Sequence, residues 1–165
     1  MKDPRKRTRE IVALFGCFIA FEATCSVSPT FAQRQSDEAV INNFIATQER
    51  KESATEYGEA RSIARGDLNG DGKQDAVVLY TLEGQSGTNQ YMQYLAVFVN
   101  RGGRLLYVTH QVAGGKNEKS VQSVLIKAGK IYLQTKEYLP TDPGCCPSKM
   151  GRMRFILSRG RLKEI

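Results

Sequence analysis

The sequence predicts an α+β protein: one N-terminal helix packed on an antiparallel meander of seven or eight strands that curls toward a half-barrel. Three observations predict it. Val40, Ile41, Phe44 and Ile45 fall on one helical stripe. From Gly58 onward the apolar residues follow the two-residue period of strands. The links between those strands are short and glycine-rich, as in Arg101-Gly102-Gly103, Ala128-Gly129 and Arg159-Gly160. Short links join antiparallel neighbours, because a parallel pair needs a crossover of about a dozen residues or more.

The chain begins with Lys2, Arg5, Lys6, Arg7 and Arg9, then an apolar run from Ile11 to Phe21, then small and polar residues ending in Ser28-Pro29-Thr30-Phe31-Ala32. A basic head, a short apolar middle and small residues before a break describe a secretory signal peptide over 1–32. Thr30 and Ala32 suit the −3 and −1 positions of a cleavage after Ala32. The apolar run rises only about 16 Å as a helix, short of a hydrocarbon core of about 30 Å, so no membrane span is expected after cleavage. Lipidation at Cys17 or Cys25 fits poorly, because Cys17 stands too early in the apolar run and Glu22 lies where a leucine is usual. The expected location is periplasmic or extracellular.

Removing 1–32 leaves 19 Lys and Arg, 14 Asp and Glu, and two cysteines, Cys145 and Cys146. Residues 33–165 are long enough for a single domain with its own core. It divides into an N-terminal helical segment, 33–56, and an antiparallel β domain, 57–165. A basic exported protein meets anionic envelope polymers or a protein partner. Solvated Lys and Arg on exposed strand faces explain the same composition. No long basic run or aromatic-interleaved basic ladder marks a nucleic-acid surface.

Ser36 suits an N-cap with Asp37 and Glu38 in the first turn, and the apolar stripe of 36–47 then packs on a sheet. Strands are expected at 58–66, 75–83, 91–100, 104–113, 120–127, 130–139, 152–158 and 161–165. Ala76 to Leu82 is apolar almost throughout, which marks a central strand covered on both faces.

Between the first two strands lies Asp67-Leu68-Asn69-Gly70-Asp71-Gly72-Lys73-Gln74-Asp75. Asp67, Asn69, Asp71 and Asp75 recur at positions 1, 3, 5 and 9, with Gly72 at the sharp turn of position 6. A hard divalent cation wants several oxygens around one centre, and this pattern supplies them together with the Lys73 carbonyl. The loop resembles the D-x-[DN]-x-D-G-x-x-D segments of FG-GAP, VCBS and dockerin-type repeats. Val78 at position 12, in place of a bidentate Glu, excludes an EF-hand. The resemblance implies calcium; three carboxylates and one amide make an incomplete cage, so weak binding at about 10⁻⁴–10⁻³ M is expected, and the place between two strands gives the ion a structural role that pins a β-hairpin. Asn-Gly and Asp-Gly steps are also strong turn formers without any ion. One such loop does not make a propeller.

Leu139-Pro140-Thr141-Asp142-Pro143-Gly144-Cys145-Cys146-Pro147-Ser148 is a proline-rich loop with adjacent cysteines. A disulfide between neighbours, free or intermolecular thiols, and a redox or soft-metal site all remain open for Cys145 and Cys146. The Cys-Cys-Pro-Ser segment with the strand after it resembles the carboxy-terminal end of small secreted bacterial proteins, some mycobacterial lipoproteins among them. That resemblance carries no activity.

Catalytic patterns are thin. His110 is the sole histidine, suited to packing on a strand. No G-x-S-x-G elbow occurs, and Gly114-Gly115-Lys116 lacks the rest of a phosphate loop. Glu83, Glu118, Glu137 and Asp142 offer carboxylates without a spacing that pairs them. The expected function is a non-catalytic envelope binding or interaction module with one structural calcium ion and no catalytic residue. A thiol-dependent protein using Cys145 and Cys146 is the first alternative, and an envelope-polymer hydrolase the second.

Overall fold

The computed structural model describes residues 31–165, and the expected signal peptide falls almost wholly outside them. One helix, α1 (Phe31–Glu52), precedes nine strands: β1 (Thr55–Glu56), β2 (Ser62–Gly66), β3 (Asp75–Glu83), β4 (Tyr91–Arg101), β5 (Arg104–Gly115), β6 (Lys119–Lys127), β7 (Lys130–Glu137), β8 (Lys149–Ser158) and β9 (Arg161–Glu164). All pairings are antiparallel. The class is α+β.

The strands divide between two sheets. In the first, β3, β4 and β5 are neighbours in that order, and β1 and β2 both pair with the other edge of β3; the second runs β6-β7-β8-β9. A single meander curling toward a half-barrel is therefore corrected to two stacked sheets. The reason lies in β3 and β4, which are buried along nearly their whole length. One helix covers only one of their faces. Ile41 and Ile45 pack there with Ala76, Val78, Tyr80, Leu82, Ala96 and Phe98. Val77, Leu79, Leu95 and Val97 face the other way, where Val121, Ile131, Leu133 and Phe155 of the second sheet close over them. Burying both faces of an apolar strand requires three layers: helix, sheet, sheet.

Gln93 joins the two sheets. Its side-chain Nε2 donates to the Val121 carbonyl at 3.0 Å and its Oε1 accepts from the Val121 N–H at 2.6 Å, both in the interior. The amide stands in for a neighbouring strand at the edge of β6. Gly114 permits the approach, since a Cβ there would collide with the Lys119 carbonyl and meet Gln93 Oε1 at 3.1 Å.

Local boundaries shift in informative places. Ser36 is not an N-cap but lies inside α1, and Asp37 is buried against Arg65 of β2, Oδ2 to Nη1 2.6 Å. The helical segment expected over 33–56 ends at Glu52, because Ser53 turns left-handed at φ +49° and Ala54 N–H returns to the Glu49 carbonyl. Thr55 and Glu56 then pair with β3. The strand expected from Gly58 begins at Ser62, after a 3₁₀ turn over Gly58–Ala60. Arg61 clasps Glu56 with two nitrogens and reaches Asn42 of α1, tying helix to hairpin.

Candidate functional site

The loop between β2 and β3 is wound by its own side chains. Asp67 Oδ1 accepts from the N–H groups of Asn69 at 3.1 Å and Gly70 at 2.7 Å, and Asp67 Oδ2 accepts from Gly72 at 2.9 Å. Asn69 Oδ1 takes the Asp71 N–H, and Asp71 Oδ1 takes the Lys73 N–H, each at 2.9 Å. Every second residue thus repeats the same side-chain turn, which is why the oxygen-bearing residues alternate in the sequence. Gly70 and Gly72 lie at φ +81° and +76°, where a side chain would be strained.

Asp75 closes the loop from beneath. Its side chain is wholly buried, with Oδ2 accepting from the Leu68 N–H at 2.9 Å and Oδ1 from the Asn100 N–H at 2.8 Å. It therefore clasps the loop to the end of β4. Burial pushes its carboxyl above the ordinary range, and the charges of Asp71 and Asp67 push it the same way. Asp67 moves oppositely, held low first by the Gly72 N–H and then by further loop amides. Asn69 and Asp71 are exposed, with the Lys73 ammonium 3.8 Å from Asp71 Oδ2.

Every side-chain donor expected for calcium is an oxygen, which suits a hard cation. An ionised carboxylate offers about four acceptor positions, so the N–H bonds leave capacity on both Asp67 and Asp75. As the side chains stand, no cluster of three or more His, Cys, Asp or Glu side chains among the described residues forms a metal cage. Asn69 and Asp71 are exposed and each already turns one oxygen onto a loop N–H.

Cys145 and Cys146 are bonded to each other on an exposed turn. Asp142 builds that turn: Oδ2 accepts from the Leu139 and Ser148 N–H groups at 2.8 and 2.9 Å, and Oδ1 accepts from Ser148 Oγ at 2.8 Å. The Tyr138 hydroxyl donates to the Gly144 carbonyl at 2.8 Å. Asp142 is accordingly committed to the backbone, held below the ordinary carboxylate range first by the Leu139 N–H. Glu137 pairs with Lys149 at 3.1 Å. His110 sits among the rings of Phe44, Tyr94 and Tyr107, with Nδ1 2.7 Å from the Tyr107 hydroxyl. Burial lowers its pKa, and the Lys51 charge lowers it further.

Reading Lys and Arg as solvated residues on exposed strand faces does not single out Arg152 and Arg154, which lie on the outer face of the second sheet opposite Gln134 and Tyr132. The signal was their two-residue spacing on one strand. Fold and loop together define an α+β protein of one helix and two antiparallel sheets, with a side-chain-wound loop at the entrance to a central strand. Set beside family models, curated proteins and solved structures, the chain matches none of them.

Proposed function

We propose that the protein is an exported, non-catalytic binding module of the cell envelope, and that its 67–75 loop takes a calcium ion as a structural brace. The observation that carries the calcium reading is the winding of Asp67, Asn69 and Asp71 about Gly70 and Gly72 over the buried Asp75. Burial raises Asp75 first and the charges of Asp71 and Asp67 add to it; an ion drawing on these oxygens and on the Lys73 carbonyl offsets that added repulsion. The basic amino-terminal segment with its short apolar run supports export, and the Cys145–Cys146 bond suits an oxidising compartment. No helix among the described residues is long and apolar enough to cross a membrane.

The test is thermal unfolding with chelator and with calcium. At a calcium concentration about ten to a hundred times Kd, a folded-state site adds about 1.4–2.7 kcal/mol. For a domain of this size that raises Tm by about 4–10 °C. Asp71→Ala is expected to abolish the gain while leaving the chelated protein nearly unchanged. Equal melting of the native protein in calcium and chelator would overturn the reading.

A second reading has its own observation. The Cys145–Cys146 bond is exposed on the surface, open to an attacking thiol. A thiol-dependent role predicts that replacing both cysteines by serine abolishes function without lowering Tm, whereas a loop-stiffening role predicts the reverse.

A further inference from the structure

We propose that the outer face of the second sheet is a docking surface for an anionic polysaccharide, with Arg152 and Arg154 as its central contacts. The inference deepens the binding-module reading and rests on it for the choice of partner.

Strand alternation sorts the charges. Ile131, Leu133, Thr135 and Phe155 are buried inward, so their neighbours along β7 and β8 point out. The register sets Tyr132 opposite Arg154, Gln134 opposite Arg152, Lys127 opposite Lys130, Lys136 opposite Met150, Lys163 opposite Ile156 and Arg161 opposite Ser158. Seven cations therefore share this face: Lys127, Lys130, Lys136, Arg152, Arg154, Arg161 and Lys163. No Asp or Glu occupies an outward position in the same register. Among the described residues none of the seven forms an ion pair. Glu38, Glu49 and Glu52 lie on α1, which covers the opposite face of the first sheet. Arg50 and Lys51 stand beside them on α1, so charge is mixed on the helix and of one sign only at the outward strand positions of the second sheet.

The cationic face is also concave. A cleft of about 620 Å³ has Lys127, Tyr132, Gln134, Arg152 and Arg154 in its lining, together with the carboxylate of Glu164 and the apolar Leu125, Leu133, Met153 and Ile165. Arg152 and Arg154 stand about 6.7 Å apart along β8. Their guanidinium forks suit the paired oxygens of carboxylate, sulfate or phosphate groups repeating along a chain. Tyr132 supplies a ring face for a sugar and Gln134 an amide for its hydroxyls. Single-stranded nucleic acid is disfavoured because it asks for a series of aromatic platforms and this cleft holds one ring. A membrane surface is disfavoured because interfacial binding uses a projecting apolar band, not a furrow.

The experiment measures binding of fluorescein-labelled polygalacturonate to the intact protein by fluorescence anisotropy, at low and at high salt. Arg152→Glu with Arg154→Glu is expected to weaken binding at least tenfold or so, and high salt to weaken it in the native protein. Reversing Arg101 and Arg104 to Glu, on the exposed turn between β4 and β5, is expected to change affinity by less than about twofold. If the charge-reversed pair melts well below the native protein, Arg152→Gln with Arg154→Gln replaces it. Equal losses from both pairs overturn the proposal. So does binding confined to phosphatidylglycerol vesicles or oligo-dT, and so does low-salt self-association, without polymer, that Arg152→Glu and Arg154→Glu abolish. The calcium melting test repeated on that variant separates the two readings: a retained calcium gain leaves the braced module standing even where the surface fails.

Discussion

Replacing Gln93 by alanine tests the join between the two sheets. The substitution removes the one side chain that, among the described residues, pairs with Val121, leaving one N–H and one C=O of β6 without their partner in the interior. Each orphaned buried group costs about 1–3 kcal/mol, so the pair costs about 2–5 kcal/mol after some relaxation. That is a large share of a total of about 5–15 kcal/mol, and it lowers Tm by about 6–15 °C. Urea unfolding followed by far-UV circular dichroism measures it. Gln93→Glu sharpens the test. A protonated Glu reproduces both bonds, donating to the Val121 carbonyl and accepting its N–H. An ionised Glu sets a desolvated charge against that carbonyl. The folded pKa of the new residue therefore rises above its unfolded value of about 4.3. Its contribution is present below the unfolded value and is lost as pH rises through the folded one. Relative to the native protein, Gln93→Glu is expected to be nearly neutral near pH 4 and strongly destabilised near pH 7.5. A Gln93→Ala cost under about 1 kcal/mol, or a Gln93→Glu deficit that ignores pH, would refute the bridge.

Three further outcomes follow from packing and charge. Gly66→Ala places a Cβ 2.7 Å from Ile126 Cγ2, where β2 crosses β6, and is expected to cost about 1–3 kcal/mol in urea unfolding. Asp67→Ala removes the acceptor for three loop N–H groups and is expected to cost about 0.5–2 kcal/mol even in chelator, unlike Asp71→Ala. Asp142 has a folded pKa below its ordinary 3.8, so its hold on the 139–148 turn is present above that value and is lost as pH falls through the lowered one. Amide exchange at Leu139 and Ser148, corrected for the intrinsic pH effect, is expected to rise over that acidic window. Asp142→Ala is expected to show the rise already at neutral pH.

The strands were legible because their causes are local. Alternation in Ile131-Tyr132-Leu133-Gln134-Thr135, and glycine at each reversal, place those elements to within a few residues. The division into two sheets was not legible, because the three residues Lys116–Glu118 between β5 and β6 look like any other short link. What sends the chain into a second layer is the two-sided burial of β3 and β4, together with Gln93 acting as a surrogate strand 28 residues away from Val121. The loop was legible as a run of oxygens, since Asp67, Asn69 and Asp71 each answer a backbone N–H two residues on. The inward turn of Asp75 was not, because it depends on Asn100 at the end of a different strand. The cationic face escaped notice for a related reason. Seven residues from four strands become neighbours only once the register is known.

The 67–75 loop, proposed to hold calcium, and the cationic face are mechanically adjacent, and this yields a prediction that neither yields alone. Leu68, inside the loop, is buried with Ile131, Leu133 and Phe155 of the second sheet. Its carbonyl faces the β6–β7 turn, where a Cβ on Gly129 would stand 3.9 Å away. Lys127 and Lys130 flank that turn and open onto the cationic face. Asp75 holds the Leu68 N–H, so the proposed ion, held by Asp67, Asn69 and Asp71, would tighten the backbone on which Leu68 is anchored. The brace therefore extends to the turn: calcium is expected to slow amide exchange over 127–131 as well as over 67–75, and Asp71→Ala to abolish both effects. Exchange read by mass spectrometry on peptides spanning the two segments decides it. Protection confined to 67–75 would show that the ion stiffens its own loop and leaves the docking surface untouched.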